Sequence, residues 1–103
     1  MYLSIRKFSN VNSPDLVIKK VEAELLPIIK TLPGFNAYYA TKFDDGDLGA
    51  VSIFDTKANA DAATERALGW IKQNLAENLP NDPMVLRGDV LFSHAPKTAA
   101  AGN

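Results

Sequence analysis

The chain has 103 residues, 47% hydrophobic and 22% charged, with a formal net charge of −1. That is material for one domain with one apolar core, and the near-neutral balance argues against a nucleic-acid partner, which leaves a basic footprint. No cysteine is present, which excludes disulfides, thiolate metal sites and thiol nucleophiles; with no apolar run of membrane-spanning length and no leader pattern at the start, a soluble cytoplasmic protein without a membrane partner is expected.

Tyr2 to Phe8 alternates as a strand, with Leu3 and Ile5 on one face and Tyr2, Ser4, Arg6 and Phe8 on the other. Ser13-Pro14-Asp15 predicts a helix start. Serine can cap, proline suits the first helical position, and aspartate favours the positive end of the dipole. The stripe Val17, Val21, Leu25, Ile28 and Leu32 comes next, widened by Ile18 and Ile29. Pro27 interrupts it: the ring lacks a donor and meets the carbonyl of Ala23, which predicts a kink or a tightened last turn. Pro33-Gly34 ends the helix.

Phe35 to Phe43 predicts the second strand. Phe35, Ala37, Tyr39, Thr41 and Phe43 share one face; Asn36, Tyr38, Ala40 and Lys42 share the other. Asp44-Asp45-Gly46-Asp47 is a hairpin turn, and Leu48 to Phe54 is the third strand. Asp55 or Thr56 caps a second helix running to about Leu79, with the stripe Ala60, Ala63, Ala67, Ile71 and Leu75, and with Leu68 and Trp70 alongside. Pro80-Asn81-Asp82-Pro83 stops it, Met84 to His94 is the last strand, and residues 95–103 read as a flexible tail.

The resulting order, βαββαβ, is that of an α+β ferredoxin-like domain over residues 1–94: an antiparallel sheet with two helices on one face. The other face is left without helices. Yet every strand carries bulky apolar groups on both faces, as with Leu3 and Ile5 against Tyr2 and Phe8, or Val51 and Ile53 against Leu48 and Phe54. A solvated face would alternate with charges. A large apolar face marks an interface, so a homodimer closed sheet to sheet, a dimeric α+β barrel, is expected.

The residues Tyr2-Leu3-Ser4-Ile5-Arg6, Leu26-Pro27-Ile28-Ile29, Leu32-Pro33-Gly34-Phe35, Val51-Ser52-Ile53-Phe54-Asp55, Ala67-Leu68-Gly69-Trp70-Ile71 and Arg87-Gly88-Asp89-Val90 together resemble the antibiotic biosynthesis monooxygenase-like domains of the dimeric α+β barrel superfamily. The resemblance spans nearly the whole chain and contains no tight catalytic signature. It implies a dimer whose two sheets close a barrel, with a pocket between sheet and helices in each subunit. Some members of that family oxidise aromatic polyketides with dioxygen and no metal or flavin; others degrade haem; many have no assigned activity.

Two groups of residues are candidates for ligand binding. Trp70 has Arg66 and Asn74 one helical turn away on either side, beside the small Ala63 and Ala67. The three could line a pocket for a flat aromatic molecule, or Trp70 could be a packed core residue with Arg66 and Asn74 solvated. Among Asn36, Tyr38, Tyr39 and Ser52, whichever faces the helices could hydrogen-bond a ligand. Tyr38 and Tyr39 must face opposite ways, so one of them fills the core or a pocket and the other an interface. Arg6, mid-strand, needs a partner if buried, and Asp89 on the last strand is the expected one. His94, the only histidine, falls too late in the chain for a haem ligand, and the acidic turn lacks calcium-loop spacing. No metal and no cofactor are expected. The expectation is a cofactor-independent monooxygenase-like protein acting on or binding a small aromatic molecule, with Trp70, Asn74, Arg66, Tyr39 and Asn36 as its substrate-binding residues. The alternative is a non-catalytic dimer of the same fold that binds a ligand or serves a structural role. A cavity of a few hundred Å³ with convergent polar groups would favour the first.

Overall fold

In the computed structural model, which describes residues 1–94, the alternating segments become β1 (Tyr2–Phe8), β2 (Phe35–Lys42), β3 (Leu48–Phe54) and β4 (Met84–Asp89). They form one sheet in the order β2-β3-β1-β4, every neighbouring pair antiparallel. Two helical segments cover one face. The first comprises α1 (Pro14–Lys20), a π-helical turn over Val21–Leu25, and α2 (Leu26–Ile29); the second is α3 (Lys57–Asn74). This is the ferredoxin-like α+β fold. The expected tail, residues 95–103, lies outside the described residues. No helix among the described residues is long and apolar enough to cross a membrane.

Burial follows the strand alternation. On β1, Tyr2, Ser4, Arg6 and Phe8 are buried under the helices, while Leu3, Ile5 and Lys7 face outward and are half-buried. Leu48, Ala50, Ser52 and Phe54 do the same on β3. The α3 helix presents Ala60, Ala63 and Ala67 to the core, so it lies close on β1 and β3. Val17, Val21, Leu25 and Ile29 cover the rest.

Five details differ from the sequence expectation, each for a local reason. First, Ser13 takes a left-handed conformation (φ 52°) and its side chain caps nothing, so α1 starts on Pro14 alone. Second, Pro27 produces a π turn rather than a kink. The chain widens by one residue before the proline, the Leu26 N–H bonds to the Val21 carbonyl, and Pro27 falls in the first turn of α2, where its missing donor costs little. The extra residue rotates the next turn, so Ile29 is buried in place of Ile28.

Third, a bulge between Phe35 and Ala37 moves Phe35 to the helix face. There its ring meets Phe54 edge-on at 5.8 Å between centroids, while Ala37, Tyr39 and Thr41 stay on the outer face. Fourth, α3 ends at Asn74, not near Leu79. The Glu77 and Asn78 carbonyls instead accept from the Asn12 side chain and backbone N–H, both at 2.9 Å, which pins this segment to the β1–α1 loop. Fifth, β4 ends at Asp89 rather than His94. Asp89 pairs with Tyr2, the first residue of β1, and the next residue adds one bond, Val90 N–H to the Met1 carbonyl at 2.9 Å; beyond that there is no strand to pair with.

Candidate functional site

The inward row of the sheet carries an unusual amount of polarity. Strand register sets Ser4 directly opposite Ser52 and Tyr38 opposite Ser52 on the other side. Arg6 stands two residues along β1 on the same face and is only 2% exposed. Its guanidinium donates from Nη1 to Ser4 Oγ at 3.2 Å and from Nη2 to Ser52 Oγ at 2.7 Å. Ser4 Oγ lies 3.3 Å from Thr64 Oγ1 on α3, so the chain of hydroxyls continues from the sheet into the helix layer. Burial pushes the Arg6 guanidinium down from its ordinary value, and charge coupling and hydrogen bonding with Tyr38 restore part of the shift. The Tyr38 phenol is pushed up, by burial first, against the pull of Arg6. The raised phenol keeps its proton at neutral pH, and an arginine guanidinium stays charged in proteins.

Arg6 and Tyr38 line a cavity of about 30 Å³ between the sheet and the helices, walled by Val17, Ile18, Val21, Leu25 and Ile71. That is room for about two waters, well short of the few hundred Å³ that a bound aromatic molecule occupies. Two clefts adjoin it at the open edge between α1 and β2. One, of about 210 Å³, shares Ile18, Val21, Tyr38 and Ala40 with the cavity; the other, of about 220 Å³, shares Ile18, Ala40 and Leu48. The π turn supplies Val21 and Leu25 to the cavity wall; such turns recur at functional sites because they displace side chains from the regular helical stripe. The largest cleft, about 320 Å³, runs between the end of α3 and β4 along Leu68, Lys72, Pro80 and Pro83. It contains no buried polar side chain, so the smaller cavity holds the stronger chemistry.

Of the residues singled out from the sequence, Tyr38 and Ser52 meet Arg6, whereas Trp70, Asn74, Arg66, Tyr39 and Asn36 do not line its cavity. Trp70 is buried in the apolar core and does not line the cavity. Asn74 donates to the Trp70 carbonyl at 2.9 Å, a bond within its own helix, and Arg66 is exposed to solvent. Tyr39 lies on the outer face of the sheet and is 59% exposed, because the alternation sends it away from Tyr38. Asn36, at the bulge, is tied to the Gly34 carbonyl at 3.1 Å and to Asp55 Oδ1 at 2.7 Å. The expected Arg6–Asp89 pair does not form, since the register sets Val85 beside Arg6 and Asp89 beside Tyr2. Ser4, Thr64 and the role of Arg6 escaped the sequence reading. The available signal was a charge in the middle of the inward-facing row of a central strand.

Elsewhere some charges pair near the surface. Lys7 bridges Asp45 at 2.7 Å and Asp47 at 2.8 Å, which explains the acidic turn. Lys57 meets Asp61 at 2.8 Å. No group of three or more histidine, cysteine, aspartate or glutamate residues among the described residues is placed to hold a metal.

No family model and no curated protein matches the sequence. Solved structures do. A protein of unknown function from Nitrosomonas europaea superposes with a TM-score of 0.73 over 92% of this chain and 93% of its own, at 19% identity. A monooxygenase from Streptomyces coelicolor, in complex with nanaomycin D, gives 0.71 over 93% and 92% at 12% identity. An MhuD variant with two manganese protoporphyrin IX molecules bound per active site gives 0.70 over 93% and 100% at 14% identity. Further structures of the same shape are described as antibiotic biosynthesis monooxygenases.

The fold is that of the antibiotic biosynthesis monooxygenases. In this chain an arginine and a tyrosine face one another under the helices, where an apolar layer would suffice for packing.

Proposed function

We propose that this protein is a cofactor-independent, monooxygenase-like homodimer that binds or oxidises a small aromatic molecule between its sheet and helices. The observation that carries the reading is the Arg6–Tyr38 pair at an otherwise apolar cavity beside two clefts that share its walls. Movement of Ile18, which lines all three spaces, would join them into one site. A fixed positive charge in a largely apolar cavity favours the ionised form of a phenolic or anthrone-like substrate. The resulting carbanion can then react with dioxygen. For anthrone, one dioxygen gives the quinone and one water: a carbon–oxygen double bond forms, two carbon–hydrogen bonds break, and dioxygen is the oxidant. The Streptomyces coelicolor protein, in complex with nanaomycin D, supports an aromatic ligand by analogy of fold.

The dimer rests on the sheet's outer face. Leu3, Ile5, Val51, Ile53 and Leu86 lie there with no helix over them. Beyond β4, Leu91 and Phe92 are 90% and 89% exposed.

The alternative, a non-catalytic dimer, is favoured by the small volume of the enclosed cavity. Oxygen uptake with anthrone separates the two. Uptake above the rate without protein, matched by quinone absorbance and unchanged by chelator, supports the enzyme. No uptake, with a thermal shift by anthrone, supports a binding protein.

A further inference from the structure

Arg6 is buried without a counter-charge. Its hydrogen-bond partners are the neutral hydroxyls of Ser4 and Ser52, with the protonated Tyr38 phenol against it. No carboxylate among the described residues lies within ion-pair distance of it. Asp89 is out of register, Glu22 lines only the outer cleft beyond Tyr38, and residues 95–103 contain neither aspartate nor glutamate.

A charge taken out of water needs an opposite charge and satisfied hydrogen bonds, and arginine cannot escape the cost by losing its proton. Of the five donors in the guanidinium fork, Ser4 and Ser52 engage one from each terminal nitrogen. Their dipoles soften the charge without cancelling it. The size of the cavity that Arg6 lines limits what can complete the compensation. At about 30 Å³ it takes about two waters, so a ring, a phosphate or a sulfate is too large. Its other walls include Val17, Ile18, Val21, Leu25 and Ile71, which offer no donor to a ligand with several oxygens.

We propose that this cavity is a halide site, in which one chloride-sized anion lies between the Arg6 guanidinium and the Tyr38 hydroxyl and supplies the missing counter-charge. A monatomic anion has no shape to match and needs few directed donors. The larger halides also give up water more cheaply, so chloride and bromide suit the apolar walls better than fluoride. Ser4 and Ser52 hold the guanidinium from the sheet side, and the ion enters past Ile18 and Ala40, which are common to the cavity and both clefts. The inference goes beyond the aromatic-ligand reading and does not depend on it. An ionised ligand that reached Arg6 would displace the halide, but the halide needs no such ligand in order to bind.

The test is thermal melting of the full chain during a chloride titration, with sodium gluconate, whose anion is too large for the cavity, holding the ionic strength constant. Chloride and bromide raise the melting temperature of the wild type, and once the site is filled each further tenfold adds a constant increment of about 5–10 °C. Fluoride raises it less. Tyr38→Phe keeps a weaker response, having lost one donor. Arg6→Met loses the response, and without halide it melts at the wild-type temperature or above, because a buried charge that needed an anion is gone. Anomalous scattering from crystals soaked in bromide places the ion against the Arg6 guanidinium. Equal melting in chloride and gluconate overturns the proposal. A halide response that Arg6→Met retains overturns it too, as a general salt effect on the surface, and so does bromide found only at surface sites. The wild-type titration and the bromide position need no variant, so the proposal stays testable even if Arg6→Met does not fold. None of these measurements uses an aromatic molecule, so their failure leaves the aromatic-ligand reading standing.

Discussion

Thr56 and Tyr38 show how far one side chain's surroundings set its behaviour. Thr56, extended at φ −131°, ends the turn after β3, and its hydroxyl accepts the Asn59 N–H at 3.1 Å. That satisfies one of the orphan donors at the start of α3. Thr56→Ala removes it and should destabilise the fold by about 1 kcal/mol in urea denaturation, whereas Ser13→Ala should change little, because the Ser13 side chain caps nothing. Tyr38 gives a pH signature. Its phenol is pushed up by burial more than Arg6 pulls it down, so the fold prefers the protonated form. Its contribution to stability is complete below the ordinary phenol value of about 10 and is lost as pH rises through the higher folded value. Ultraviolet titration should therefore show a late tyrosinate component, absent in Tyr38→Phe, among the three tyrosines of the chain.

The first helical segment is where the elements depart most from their pattern. A regular helix would have carried the stripe from Leu25 to Ile28, but the π turn before Pro27 adds a residue and hands the core position to Ile29, which is 1% exposed. Ile29→Ala should then cost about 2–5 kcal/mol, the range for emptying a filled core site, and Ile28→Ala clearly less, both read from urea midpoints. Equal losses would mean that the stripe keeps its regular register. The same turn supplies two residues of the cavity wall, so the proline that perturbs the helix also shapes the site. Stripe spacing and Pro27 were legible as a disturbance; its form was not, because a kink and a π turn both satisfy a missing donor and differ only in how the segment packs on the sheet.

For the whole molecule, the outward face of the sheet is the ground for the proposed dimer. Leu3, Ile5, Val51, Ile53 and Leu86 form an apolar surface without helical cover, and burying large side chains of this kind contributes about 1.5–3 kcal/mol each. Light scattering at micromolar concentration should give twice the chain mass, and Val51→Glu with Leu86→Glu should return it to one chain. A wild-type monomer would remove the argument for sheet-to-sheet closure. At low pH the exposed pairs weaken first: Lys7 holds Asp45 and Lys57 holds Asp61 below the usual carboxylate range. Their small contribution is present above about pH 4 and lost as pH falls through the lowered values.

The order of strands and helices, the two faces of β1 and β3, the hairpin turn and the α3 stripe were all readable along the chain. Each depends on periodicity within one segment, and local sterics and burial write that periodicity directly into the sequence. What the tertiary structure decided was pairing and register. Arg6 was visible as a charge in a strand, but whether it met Asp89 or two serines depended on which residues of β3 and β4 stand beside it. Trp70 and Tyr39 were visible as large aromatics, but packing set one in the core and alternation turned the other outward. A site assembled from separate strands has no local spacing to announce it, which is why the hydroxyls around Arg6 emerge only when the sheet is folded.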